Sequence, residues 1–167
     1  MNRKNLPLRK NCEGYFTKEN KILAKDGEKY YIIFPGGGVE ENETPEKGLL
    51  RETLEETGAI IKNNIRKIGI LKIIWGKDWA KTEKQKERYQ KYQGDEMHFF
   101  TGEIKEFKQP KGDSENPKQT DIWKGEKLIQ IEKAIEIIEK NKPFTKESEE
   151  YHNFQLKILN SLKNKLN

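Results

Sequence analysis

The 167-residue chain is 37% charged and 32% hydrophobic, which suits one domain with a modest core and a very polar surface. Its 33 basic and 28 acidic residues leave a net charge of only +5, too mild and too mixed for a committed nucleic-acid binder, and 10% aromatic content with clear apolar runs argues against disorder. The single cysteine, Cys12, excludes an internal disulfide and fits a reducing, cytoplasmic setting; the basic start lacks a signal peptide's apolar stretch, and no run approaches the roughly 20 apolar residues of a membrane span.

Cys12 to Thr17 and Lys21 to Lys25 read as short strands with a turn at "KEN" between them. Asp26-Gly27 in "KDGEK" signals a tight hairpin. "YYIIF", Tyr30 to Phe34, is aromatic and β-branched and reads as a strand ending at Pro35 and three glycines. A helix is expected from Pro45 to Thr57, with Thr44 as N-cap, proline at N1, Glu46 at the positive end of the dipole and Gly58 just past the end. Leu50, Leu54 and Thr57 share a face expected to pack on a sheet.

Ile65 to Trp75 contains the strand "IGILKIIW". Gly76 to Gly94 is strongly polar and reads as an exposed insertion, either a solvated helix or a long loop. Its aromatic residues Trp79, Tyr89 and Tyr92 suit a lid, a partner surface or a homodimer interface. Glu96 to Ile104 is another strand, Lys108 to Thr120 a loop, and Lys127 to Ile131 a short strand before a helix at about 132–140. Pro143 breaks that helix. The last helix, at about 145–166, carries Tyr151, Phe154, Ile158, Leu162 and Leu166 at helical spacing, so it is expected to dock on the body. Strands interleaved with three helices indicate an α/β sandwich of mixed topology, its strand order unreadable.

The expected helix carries a conflict. Glu52, Glu55 and Glu56 fall at i, i+3 and i+4, within about one third of its circumference. Like charges at these spacings repel, and a helix C-terminus disfavours anions. Such conflicts tend to mark function. A bound cation resolves this one: carboxylates are hard ligands suited to Mg²⁺ or Mn²⁺, and no histidine or cysteine nearby suggests zinc. Magnesium commonly bridges to phosphates, which implies a phosphate-bearing substrate. Gly36, Gly37 and Gly38 let the backbone approach a ligand closely, and Asn42 tolerates a positive φ.

Gly37, five residues, Glu43, seven residues, Arg51-Glu52, then Glu55-Glu56 and Gly58 resemble the signature of the Nudix hydrolases, over Gly37 to Ala59. Thr53 and Ala59 stand where that family prefers bulkier aliphatics. The strands before the signature and the segment Gly125 to Ile138 are similar to the family more loosely. The resemblance implies a single Nudix-type α/β/α sandwich with a mixed β-sheet, spanning 1–167. It implies metal ligation by Glu52, Glu55, Glu56 and the Gly37 carbonyl, with Arg51 and Glu43 orienting the glutamates. The implied reaction is attack by a metal-activated water on a phosphorus of a nucleoside diphosphate linked to another group X. Glu52 or a neighbour would serve as base, and Glu96 in "GDEMHF" is a further candidate.

Other residues carry two readings. Arg9 and Lys10 could meet substrate phosphates or belong to a solvated terminus, and Gly38 would adjoin the substrate. Trp75 could stack on a base or sit in the core, as could Trp123. His98 reads as a packed histidine and Cys12 as a small buried side chain. The marks of the ADP-ribose, dinucleoside-polyphosphate, coenzyme A and NADH subfamilies are absent. That leaves a nucleoside triphosphate or a nucleotide sugar as the expected small-molecule substrate. Capped or 5′-triphosphate RNA has the basic Ala80 to Lys91 segment as its only support. A non-catalytic binding or regulatory module of the same fold is disfavoured by the intact carboxylates.

Overall fold

The structure is a computed structural model that describes residues 3–27, 32–110, 122–141 and 146–166. Tyr30, Tyr31, Pro143 and Thr145, and most of the expected loop up to Thr120, lie outside these residues.

Strand β1 (Leu8–Lys18) and strand β8 (Gly94–Phe107) pair in parallel from Leu8↔Gly94 to Thr17↔Glu103 and form the centre of a seven-stranded mixed sheet. The remaining pairings are antiparallel. On the far side of β1, β5 (Gly36–Gly38) pairs with its first half and β2 (Lys21–Leu23) with its end; β9 (Leu128–Gln130) pairs with β2. On the far side of β8, β7 (Arg66–Ile74) pairs with its first half and β6 (Ala59–Ile61) with its second. The turn at "KEN" is present, with Glu19 at φ 57°.

The hairpin at Asp26-Gly27 is wider than expected. β3 (Lys25–Asp26) and β4 (Ile32–Ile33) form their own ladder in which Asp26 faces Ile32, so five residues connect them instead of two.

Helix α1 (Pro45–Thr57) has the expected ends. Lys47 N–H donates to Thr44 Oγ1 at 3.3 Å, and Gly58 takes the left-handed φ of 75°. Its buried face differs from the expected one. Leu49, Thr53 and Thr57 are buried, while Leu54 is 40% exposed. The helix is rotated by roughly 60° at 100° per residue. This roll keeps the glutamates on the glycine strand and gives the adjoining face to the core.

Alternation along β1 and β8 divides the core into two layers. Phe16, Phe100 and Ile104 meet Leu49 of α1 on one face of the sheet. Tyr15 and Phe99 face the other side, covered by α3 (Ile131–Lys140) and α4 (Lys146–Leu166). Ile131, Ala134, Ile135 and Ile138 form the buried stripe of α3, and Tyr151, Phe154, Ile158 and Leu162 pack from α4. The result is the expected α/β/α sandwich. Among the described residues no helix is long and apolar enough to cross a membrane.

The polar stretch after β7 is a solvated helix. Lys77–Trp79 form a 3-10 turn, then α2 (Glu83–Lys91) begins at Thr82 with a capping box: Gln85 N–H donates to Thr82 Oγ1 at 3.2 Å, and Thr82 N–H to Gln85 Oε1 at 2.9 Å. The N-terminus pins its far end. The Arg3 guanidinium lies 3.1 Å from the Tyr89 ring centre and donates to the Tyr92 and Gln93 carbonyls. Gln93 in turn donates its side-chain amide to Leu6 O at 2.6 Å.

Candidate active site

β5 and α1 meet at one end of the sheet and border a cavity of about 350 Å³. Gly37, Glu52, Glu55 and Glu56 line it from one side, with Arg51 between them. The approach is close: a Cβ on Gly37 would stand 2.9 Å from Glu52 Cδ, so only glycine leaves this carboxylate its place. Asn42, in the connection to α1, takes φ 71°.

Arg51 organises the acids. Its Nη2 and Nε donate to the two oxygens of Glu43 at 2.8 and 3.3 Å, and its Nη1 reaches Glu52 Oε1 at 3.1 Å and Glu55 Oε2 at 3.3 Å. Glu43 also accepts from the Glu40 N–H at 2.8 Å. The Arg51 hydrogen bonds hold the Glu43 carboxyl below the usual range. Glu52 goes the other way: its burial outweighs the pull of Arg51 and raises its pKa.

The residues suit a hard divalent cation by type: three carboxylates border one cavity beside the glycine cradle that a Cβ would fill. Among the described residues no three Asp, Glu, His or Cys side chains stand as an assembled metal group; the Arg51 guanidinium supplies the countercharge instead. Beneath the glycines, the Cys12 thiol donates to the Gly37 carbonyl at 3.3 Å, and burial pushes its pKa up to about 12. Cys12 is thus a packing residue and no nucleophile.

Of the other expected residues, Arg9 and Gly38 lie together on the cavity wall, Arg9 Nη2 being 2.5 Å from where a Gly38 Cβ would stand. Glu96 does not join them. It points to the opposite side of β8 and meets His98 Nε2 at 2.8 Å. Its neighbour Asp95 faces the site, holding Arg9 at 3.5 Å and the Trp75 indole N–H at 3.2 Å. Strand alternation thus puts Asp95, with Met97, on one face of β8 and Glu96, with His98, on the other.

Trp75 is 4% exposed and stacks on Trp79 with ring centres 3.7 Å apart. Both indoles border a second cavity of about 400 Å³, with Met97 and Phe34, that shares Asn11, Gly36 and Gly37 with the first. Trp123 is a core residue, and its backbone N–H donates to Glu56 O at 2.9 Å. Glu13, unmarked in the sequence, is buried at the second cavity. Tyr15 and Tyr151 donate their hydroxyls to it, Gln155 Nε2 lies 3.5 Å away, and burial raises its pKa.

The NUDIX domain model matches residues 16–149, most of the chain. The chain belongs to the Nudix family. It keeps the charged and glycine positions of the family's signature intact. Among solved structures it is similar to a MutT Nudix hydrolase from Burkholderia pseudomallei (16% identity, 89% of this chain and 95% of that one, TM-score 0.49). It is also similar to a Nudix hydrolase from Nitrosomonas europaea (19% identity, 64% and 66%, TM-score 0.46) and to a mutant form of a Bacillus subtilis pyrophosphohydrolase (21%, 62% and 56%, TM-score 0.47). The chain thus spans just under two thirds of the Nitrosomonas protein and little more than half of the Bacillus one. No curated protein matches it.

Proposed function

We propose that the protein is a Mg²⁺- or Mn²⁺-dependent hydrolase of a nucleoside diphosphate linked to another group. One observation carries this reading: three glutamates of one helix and the Gly37 backbone border a single cavity, with Arg51 bonded among the acids. Glu52, Glu55, Glu56 and the Gly37 carbonyl would hold the cation. When bound, the cation activates a water and neutralises charge on the phosphoryl oxygens and leaving group.

The chain's own residues do the rest. Glu43 fixes the Arg51 guanidinium, which in turn fixes the directions of the Glu52 and Glu55 carboxylates. Preset carboxylates need no reorganisation during the reaction. Glu52 or a neighbouring glutamate would take a proton from the attacking water. Arg9 offers charge-assisted hydrogen bonds to phosphate oxygens. The second cavity, with its two indoles, offers room and a stacking edge for the nucleoside. The test is a panel of nucleoside triphosphates and nucleotide sugars, read as phosphate or pyrophosphate release. Turnover with Mg²⁺ that stops on adding chelator supports the proposal; no turnover on any member with either metal overturns it.

A further inference from the structure

Helix α2 does more than cover the surface. Lys84 and Arg88, one turn apart on it, line the same cavity as the α1 glutamates. Arg9 approaches from β1 and Arg51 from α1, so four cations border a space of about 350 Å³ together with four glutamates, Glu40 and the three of the α1 cluster. Among the described residues Arg88 has no ion pair within 4 Å, whereas Arg9 is held by Asp95 at 3.5 Å and Lys86, next along α2, by Glu83 at 2.6 Å. Burial and repulsion from Arg9 both lower the Arg88 pKa. Asp95, the carboxylate that holds Arg9, also attracts Arg88, but burial and Arg9 outweigh it, so the two guanidiniums favour a further anion between them. α2 is fixed for the task by the Thr82–Gln85 capping box at one end and by Arg3 at the other.

We propose that Arg88 and Lys84, with Arg9, form a clasp for a polyphosphate chain, so that the substrate is a triphosphate and not a nucleotide sugar. This rests on the hydrolase reading above for the reaction, but not for the binding. A sugar presents neutral hydroxyls to this wall and offers Lys84 and Arg88 no charged partner. A triphosphate places its terminal group, the most highly charged of the three, between the guanidiniums. Arginine suits this because its planar fork binds phosphate oxygens in pairs.

The test is direct binding of inorganic tripolyphosphate to the full chain by calorimetry, with chelator present and orthophosphate as reference. Wild type should bind tripolyphosphate at least about tenfold more tightly than orthophosphate, and an Arg88→Ala/Lys84→Ala variant should lose roughly ten- to hundredfold, the scale of charge-assisted contacts. Arg88→Lys should restore part of the loss, and Lys86→Ala, which removes the same charge from α2 outside the cavity, should change nothing. An unchanged thermal midpoint shows that the variants fold. Equal affinity in wild type and the double variant, or equal losses in the double variant and Lys86→Ala, overturns the clasp. Turnover separates the two proposals. Under the clasp, Arg88→Ala raises KM for a nucleoside triphosphate about tenfold or more with kcat little changed, and leaves a nucleotide sugar's KM alone. Binding that behaves as expected in a chain without hydrolysis would sink the hydrolase reading and keep the clasp. Hydrolysis with a normal triphosphate KM in Arg88→Ala would do the reverse.

Discussion

Arg51 grips Glu43 through two hydrogen bonds, Nη2 to Oε1 at 2.8 Å and Nε to Oε2 at 3.3 Å, and this pair aims the third guanidinium nitrogen at Glu52 and Glu55. The geometry gives Arg51 a positioning role. Arg51→Ala should lower kcat on the order of 100-fold, as expected when reacting groups lose their alignment, with KM moving far less. Lysine cannot reproduce the fork, so Arg51→Lys should recover little of kcat. Steady-state kinetics of both variants check this; a wild-type kcat in either one contradicts it.

Gly37 is required for space. A methyl group there would lie 2.9 Å from Glu52 Cδ and 3.0 Å from its Oε1. Gly37→Ala should therefore leave the thermal midpoint within a few degrees while cutting activity about 100-fold through displacement of Glu52. Gly76→Ala, at a position with nothing within 4 Å of the added carbon, is the control and should be silent.

Thr53 is fully buried, and among the described residues its hydroxyl has no hydrogen-bond partner. Thr53→Val removes this orphaned group with little change of shape and should stabilise the fold by about 1 kcal/mol. That corresponds to roughly 2–4 °C for a chain of this size. Thermal unfolding measures it, and a lower midpoint would show that Thr53 has a role the packing does not reveal.

Glu13 should give stability a pH dependence. Burial raises its pKa above the ordinary 4.5 against three hydrogen-bond donors, so the folded protein keeps this proton to a higher pH than the unfolded chain does. The associated stability is complete below the unfolded value and is lost as pH rises through the folded one. Glu13→Gln keeps an uncharged acceptor and escapes that loss. The difference in midpoint between Glu13→Gln and wild type should therefore grow in the variant's favour from about pH 4 to about pH 8. A difference that stays constant or shrinks contradicts the assignment.

What could be read from the sequence depended on how local the cause was. The ends of α1 follow from Thr44, Pro45 and Gly58, each within a turn of its effect, and they are found where expected. The glutamate cluster is legible because its cost is local too. The face that α1 buries was not, because it depends on where the glycine strand lies, and that strand pairs with β1, more than twenty residues earlier. Which of Asp95 and Glu96 faces Arg9 was not legible either, because "DE" at the start of a strand gives no sign of it until the register with β1 is known. The role of α2 was hidden for the same reason: nothing in its polar sequence says that Arg3 and Gln93 fold it over the cavity.

If the α1 glutamates carry out hydrolysis and do not merely bind, Glu56→Gln separates the two. Wild type and the variant are compared in Mg²⁺ on a nucleoside triphosphate, following both turnover and ligand affinity. Wild type should turn over, and the variant should lose several orders of magnitude in rate while keeping ligand affinity within about tenfold of wild type. Equal turnover in the two proteins, or ligand binding without turnover in wild type, would contradict that role.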